Sequence, residues 1–505
     1  MNKFLRLVSL VACAIASLTS CKKKDDSPAP ASPARPGVGQ EFTFDGKKAV
    51  IRYNGDTAII LEGNLETMTL DSTKKYLLRG QVFVRDGKTL TIPSGTVIFG
   101  EKRTKGLLVI DRGGKIMCMG TASRPVVFTS AQEEGERDKG DWGGIVVLGR
   151  ARTNQSDPSI EGVSPAVVFG GTNDNDNSGV IRYTRIEYAG IELSPNNETN
   201  SLTLGGVGAG TTIEYVQATF GGDDHFEWFG GNVNCKYLVS FGAWDDDFDA
   251  DFGYSGKVQF GLAIREPFTA DQSGSNPFEC DNNAAGDSTL PQTQAVFSNI
   301  TVLGPRDNTG RDISANYANT IHIRRNAAVS ILNSVFVGMA GSINVEGTNT
   351  LGNYDTTNSP KAILAYNHVV FMQRQRPTDA SASNPTFFSN NGQAAFLTRG
   401  LGNTMDTVRS TGRPNSQNDG VFPNMTGLGI NQDLLWGGKG KDGYVSNPNF
   451  AVASGSMASG ANFTNARVVG KVGDAFFSKV TYRGAFGATD WTDNWTEFRP
   501  LNKKY

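Results

Sequence analysis

Two stretches of the chain, "GGDDHFEWFGG" at residues 221 to 231 and "AWDDDFDADFG" at 243 to 253, repeat one another. Aligned, Asp223 matches Asp245, Asp224 matches Asp246, Phe226 matches Phe248 and Glu227 matches Asp249, each pair 22 residues apart. "NPFECDN" supplies a third step: Phe278 and Glu279 follow the earlier Phe-acid pairs, and Asp281 follows Asp251. Carboxylates gathered in this number are ligands for a hard cation, and calcium, which takes oxygen ligands from several carboxylates at once, suits them. The candidate ligands are Asp223, Glu227, Asp245, Asp247, Asp249, Asp251, Glu279 and Asp281. Two other fates stand beside this one: pairing with arginines such as Arg265, Arg324 or Arg325, or a solvated acidic face. No EF-hand loop or nonapeptide calcium repeat is present. Trp228 and Trp244 adjoin the acids. Exposed, they are flat platforms for a sugar ring; buried, they close gaps in a core.

The 22-residue offset asks for an element that brings such residues together. Short β-type runs recur in sets of three: "VFV" at Val82, "LTI" at Leu90 and "VIF" at Val97, then "LVI" at Leu108, "IMC" at Ile116 and "VVF" at Val126. Further on, "IRYTRIEYAG", "IEYVQATFGG", "CKYLVSFGAW" and "VQFGLAIREP" place Tyr183, Tyr215, Tyr237 and Phe260 in register. The chain has 60 glycines in 505 residues, well above the usual share of roughly 7%, as befits a chain that turns a corner every few residues. Three short strands per coil of about 22 to 29 residues predict an all-β, right-handed parallel β-helix whose coils stack at the strand spacing of roughly 4.8 Å. A β-propeller, the competing architecture, needs blades of about 40 residues or more. Length alone gives roughly three domains, but a solenoid grows without starting a new core.

On such a helix residues one coil apart lie above one another. Alternation along the strand then sends Phe226, Phe248 and Phe278 to one face and Glu227, Asp249 and Glu279 to the other. Two ionised carboxylates at about 4.8 Å repel by roughly 3 kcal/mol at an effective dielectric near 20, so a cation, an arginine or water must offset them.

The strand triads with "GTVIFG", "GGKIMCMGTASRPVVFTS" and "DWGGIVVLG" resemble the pectin-lyase-type β-helix superfamily. From about Lys75 to the ending "YRGAFGATDWTDNWTEFRP", the chain resembles a family of β-helical outer-membrane lipoproteins of Bacteroidetes and spirochaetes. That resemblance implies a fold and a location, not a reaction. Pectate lyases, within the superfamily, abstract a proton with an arginine while calcium neutralises the substrate, which singles out Arg265. Yet "REPFTA" has Ala270 where the second arginine of "RxPxxR" belongs, and "DDHF" lacks the preceding "WxD" context. His225, His322 and His368 show no metalloprotease spacing, no "GxSxG" occurs, and "GGVGAGTT" lacks a P-loop lysine.

The ends speak about address. Lys3 and Arg6 precede an apolar run and small residues before Cys21, the layout of a secretory signal over residues 1–20. "LTSC" resembles a lipobox, making Cys21 the acylated first residue of the mature chain. "KKKDD" behind it resembles the signal that sends lipoproteins of Bacteroidetes to the outer face of the outer membrane; as plain composition it is a solvated charge run opening a tether. "SPAPASPARPGVG" is a stiff spacer, so residues 21–40 are expected to be tether, 41–400 β-helix, and 401–505, with Trp436, Trp491 and Trp495, a cap over the last coil. Lys and Arg number 48 against 50 Asp and Glu, a balance that turns more acidic once Lys3 and Arg6 leave, which argues against nucleic acid. Cys118, Cys235 and Cys280 form no disulfide framework, and buried thiols are expected, with a Cys235–Cys280 bridge left open. The leading expectation is a surface lipoprotein presenting an acidic, calcium-binding face to a glycan or an outer-membrane transport protein. The alternative is a calcium-dependent polysaccharide lyase or other glycan-active enzyme.

Overall fold

The computed structural model describes residues 38–194, 197–307, 312–374, 387–410, 427–437, 439 and 443–505. The signal, lipobox and charge run lie outside them. Among the described residues, 28 strands join into one sheet wound as a right-handed parallel β-helix, as the repeat predicts. One wall runs through Leu107–Ile110, Ile145–Leu148, Leu202–Gly205, Phe226–Phe229, Phe248–Asp251, Phe278–Cys280, Asn319–Ile323 and Ser342–Val345, each parallel to the next. The other two walls share long strands, Gly179–Glu187, Thr212–Thr219, Asn234–Phe241, Lys257–Ile264 and Val296–Leu303.

These long strands bend at the residues that fall in register in the sequence. Tyr183, Tyr215, Tyr237 and Phe260 have φ of 45°, 56°, 59° and 64°, a left-handed conformation uncommon for a residue with a side chain. Their rings stack at centroid separations of 4.3, 4.3 and 5.1 Å, so a row of aromatic contacts lines this corner. Inside, Phe226, Phe248 and Phe278 stack at 5.9 and 5.2 Å and are wholly buried.

The two ends differ from the sequence expectation. Glu41–Phe44 and Lys47–Ile51 pair antiparallel, as does Lys47–Ile51 with Thr57–Leu65; parallel winding starts where Ala58 meets Lys75. The reason is the tight turn at Asp45 and Gly46, φ 50° and 71°, a hairpin connection rather than a coil corner. The C-terminal segment lies along the flank of the solenoid instead of over its last coil. Trp436 stacks on Phe241 at 4.5 Å, Trp491 meets Tyr237, and Trp495 meets Tyr183 and Tyr215. Side-chain amides of the walls grip its backbone: Gln217 bonds Glu497 in both directions, Gln259 does the same with Ser478, Asn299 donates to the Tyr482 carbonyl and Asn333 accepts from the Asn462 amide. It runs back toward the first coils, where the Tyr505 hydroxyl donates to buried Glu187 at 2.6 Å. Cys118, Cys235 and Cys280 are buried free thiols, so the Cys235–Cys280 bridge does not form.

Candidate functional site

The acids occupy one outer wall and the turns leading into it. The register sets Thr203, Glu227, Asp249, Glu279 and His322 in one column, outward because their neighbours Phe226, Trp228, Phe248, Ala250 and Phe278 point into the core. The repeated turns stack as well. The Asp246 amide donates to Asp224 Oδ1 at 2.7 Å, and the Asn276 amide donates to Asp246 Oδ1. Three overlapping groups result, Asp223–Asp224–Asp245, Asp224–Glu227–Asp249 and Asp246–Asp249–Glu279, each with carboxylate oxygens within 4.8 Å of one another. These clusters could hold a metal ion.

Compensation divides the column. At its far end, Arg324 pairs with Glu279 and, at 2.8 Å, with Asp281, which also pairs with Arg325 at 2.6 Å; His322 bridges Glu279 and Glu346 at 3.1 and 2.7 Å. Burial opposes ionisation of Glu279, but the His322 hydrogen bond and the Arg324 charge outweigh it and hold its pKa below the ordinary value. Asp223, Asp224, Glu227, Asp245, Asp246 and Asp249 have no ion pair with Lys, Arg or His among the described residues. Neutral groups serve some of them: Asn200 donates to Glu227, and Ser273 Oγ donates to Asp245 at 2.9 Å. Burial, then the neighbouring carboxylates, push the pKa values of Asp223, Asp224, Glu227, Asp246 and Asp249 well above the usual carboxylate range. Burial raises Asp245 too, and burial reinforced by Asp281 lifts Asp251 to about 7. One oxygen each of Asp245 and Asp249 is enclosed without a hydrogen-bond partner. A bound cation would reverse the sign of this whole environment.

A model of the pectate-lyase-like β-helix domain matches residues 63–408. The chain belongs to that family. No curated protein and no solved structure matches it.

Several residues of this family member sit differently from the sequence expectation. Trp228 is fully buried, stacked on Tyr254 at 5.3 Å and Phe226 at 6.2 Å; it is a core residue and not a sugar platform. Arg265 is also fully buried and pairs at 3.1 Å with Asp247, itself fully enclosed, so Arg265 faces no substrate as a base and Asp247 leaves the set of metal candidates. Asp247 ends a buried relay. The Gly221 amide donates to His225 Nε2 at 2.9 Å, which leaves Nδ1 to donate to Ser240 Oγ at 2.6 Å, and Ser240 donates to Asp247. Burial, with the Arg265 charge, holds the His225 pKa well below its usual value, so the imidazole is neutral. With the serine between histidine and aspartate, and all of it sealed, the relay braces the two acidic turns and is not a nucleophilic triad. Asp281 belongs to the arginine-paired end.

Trp244 keeps part of its surface. It lines a cleft of about 340 Å³ with Glu198, Asp223, Asp245, Asp271 and Ser273, and its Nε1 donates to Asp271 Oδ1 at 2.8 Å. The residues missing from the sequence prediction are Asp224 and Asp246, although the 22-residue repeat aligns them, and Asn200 and Asp271, from loops, and Glu198, from the short hairpin strand Asn197–Glu198, with no repeat to mark them.

Proposed function

We propose that this protein is a lipid-anchored outer-membrane protein displayed at the cell surface, non-catalytic, whose acidic column takes up calcium and presents the Trp244 cleft to a glycan or to a partner such as an outer-membrane transport protein. The observation that carries the proposal is the set of six crowded carboxylates, Asp223, Asp224, Glu227, Asp245, Asp246 and Asp249, without a cationic partner among the described residues, beside Asp247, Glu279 and Asp281, which have one. Calcium suits a column of oxygen ligands contributed by successive coils, because it accepts many oxygens in flexible geometry, whereas magnesium demands near-ideal octahedra. The anchor rests on "LTSC" and the export signal on "KKKDD", both outside the described residues, and on the resemblance to lipoproteins of Bacteroidetes and spirochaetes. No helix among the described residues is long and apolar enough to cross a membrane.

The second reading, a calcium-dependent polysaccharide lyase, draws on the family and the acids. Against it stand the burial of Arg265 and the commitment of Arg324 to Glu279 and Asp281. A glycan array run with calcium and again with chelator, followed by an ultraviolet assay for unsaturated uronide ends on any glycan retained, tests both. Calcium-dependent retention without product supports the binding protein; accumulating product overturns it in favour of the lyase.

A further inference from the structure

A second cleft, of about 530 Å³, lies at earlier coils of the wall that carries the acids, in the turns that follow Lys75–Val84, Leu107–Ile110 and Ile145–Leu148. The register sets Val84 against Ile110, so the turn residues next in line pair Arg85 with Asp111 and Asp86 with Arg112. The first of these ion pairs forms, with Arg85 Nη1 at 3.2 Å from Asp111. The second does not. Arg150 reaches over Gly113 and takes Asp86 at 2.8 Å; a Cβ at Gly113 would run into both side chains. Arg112 is left half-buried with no carboxylate partner among the described residues, and its one side-chain hydrogen bond runs from Nη1 to the Gly170 carbonyl at 3.0 Å. A guanidinium carries five N–H donors, so most of its donors are uncommitted. The same lining includes Gly171 and Thr172, whose backbone amides have no acceptor among the described residues. Successive backbone amides beside a cation make an anion-binding concavity. The lining has no aromatic ring, so a neutral sugar finds no platform there. Its two carboxylates, Asp86 and Asp111, are already held by Arg150 and Arg85. The charge left over is that of Arg112.

We propose that this cleft binds a tetrahedral oxyanion, a phosphate or sulfate group, free or esterified to a sugar, with Arg112 as its anchor. The site stands apart from the acidic column, and neither reading depends on the other. A guanidinium pairs two oxygens of such an anion in parallel hydrogen bonds. The amides of Gly171 and Thr172 then serve a third oxygen, which a carboxylate lacks. The volume of about 530 Å³ falls within the range of ligand clefts and leaves room for a sugar ring beside the anion.

The test is isothermal titration of inorganic phosphate, inorganic sulfate, glucose 6-phosphate, glucose 6-sulfate and glucuronate into the full chain and its Arg112→Gln and Asp86→Asn variants. It is run at low ionic strength, where surface charge is least screened, with a thermal melt of each protein. The expected result is that phosphate or sulfate binds, as the ion or the ester, and glucuronate binds more weakly. Arg112→Gln should weaken binding by about tenfold or more, through loss of a bidentate charged contact. Asp86→Asn removes a negative charge from the lining and frees Arg150, and should tighten binding by up to about fivefold, the ceiling for an exposed charge. An ester that binds more tightly than its inorganic ion identifies a sugar-borne anion, and the reverse identifies the free ion. No binding at all, glucuronate equal to the tetrahedral anions, or binding that survives Arg112→Gln, which would mean an adventitious ion only, overturns the inference. If Arg112→Gln lowers the melting temperature, Asp86→Asn decides: a variant that binds no more tightly than the wild type overturns it.

Discussion

Asp249, like Asp224, is shared by two of the three acidic groups, with Glu227 and Asp224 on one side and Asp246 and Glu279 on the other. Replacing it by asparagine keeps the shape and removes the charge. At the 4.8 Å that bounds these oxygens, one ionised pair repels by roughly 3 kcal/mol at an effective dielectric near 20. The metal-free column sheds part of that cost by taking up a proton, as raised pKa values allow. In chelator, Asp249→Asn should therefore melt higher than the wild type, on the order of 2 °C for a chain of this size. In calcium at about 100 times the dissociation constant, the wild type gains about 2.7 kcal/mol, and the variant, lacking a central ligand, should gain little. The two melting curves should cross as calcium is added. The assay is differential scanning calorimetry of both proteins across a calcium series, with magnesium as control. A wild type indifferent to calcium, together with an Asp249→Asn protein destabilised equally in chelator and in calcium, would mean that Asp249 makes a favourable contact with the protein itself, and the reasoning would fail.

The pH dependence should carry the same signature. Asp223, Asp224, Glu227, Asp246 and Asp249 have raised folded pKa values, so the folded state binds more protons than the unfolded chain; in chelator the melting temperature should fall as pH rises from about 5 to about 8, and saturating calcium should flatten or reverse that slope. Trp228→Ala should cost roughly 3 to 5 kcal/mol in a denaturant titration, since Trp228 is fully buried, whereas Trp244→Ala, at a half-buried ring, should shift the midpoint less. Cys21→Ala should move the protein from the membrane to the soluble fraction; wild-type chain left intact by protease added to whole cells would count against surface display.

The fold was legible because a parallel coil writes itself into the sequence at a fixed offset. Tyr183, Tyr215, Tyr237 and Phe260 mark the corner where the strand turns, and Phe226, Phe248 and Phe278 mark the inner face. Alternation, followed two residues further, also places Trp228 inward beside Phe226, which decides for the core between the two roles open to it. Arg265 was ambiguous for a different reason. Its partner Asp247 lies 18 positions away in a turn, and whether an arginine meets solvent or a buried aspartate depends on the depth of that turn, which no period encodes. The C-terminal segment was legible in composition and not in place. Its contacts, such as Gln217 with Glu497 and Glu187 with Tyr505, join residues hundreds of positions apart without a repeat, and only the row of wall amides at Gln217, Gln259, Asn299 and Asn333 could have hinted at a strap.

The rigidity of the solenoid is what gives the acidic column its chemical potential. On a loop, crowded carboxylates swing apart into water and lose their repulsion at little cost. Here Glu227, Asp249 and Glu279 are held in successive strands by ladder hydrogen bonds, and the inward residues of those strands are locked by stacking of Phe226, Phe248 and Phe278 and of Trp228 on Tyr254. Separating the acids would mean slipping a strand, which would turn Phe248 out to solvent and Asp249 into the core. The column therefore has three ways to lower its energy: to take up protons, to recruit arginine, or to bind a cation. Arg324 and Arg325 serve the end at Glu279 and Asp281, and Arg265 is enclosed with Asp247. Toward Asp223 and Asp245 the column opens into the Trp244 cleft, the side from which an ion can reach it.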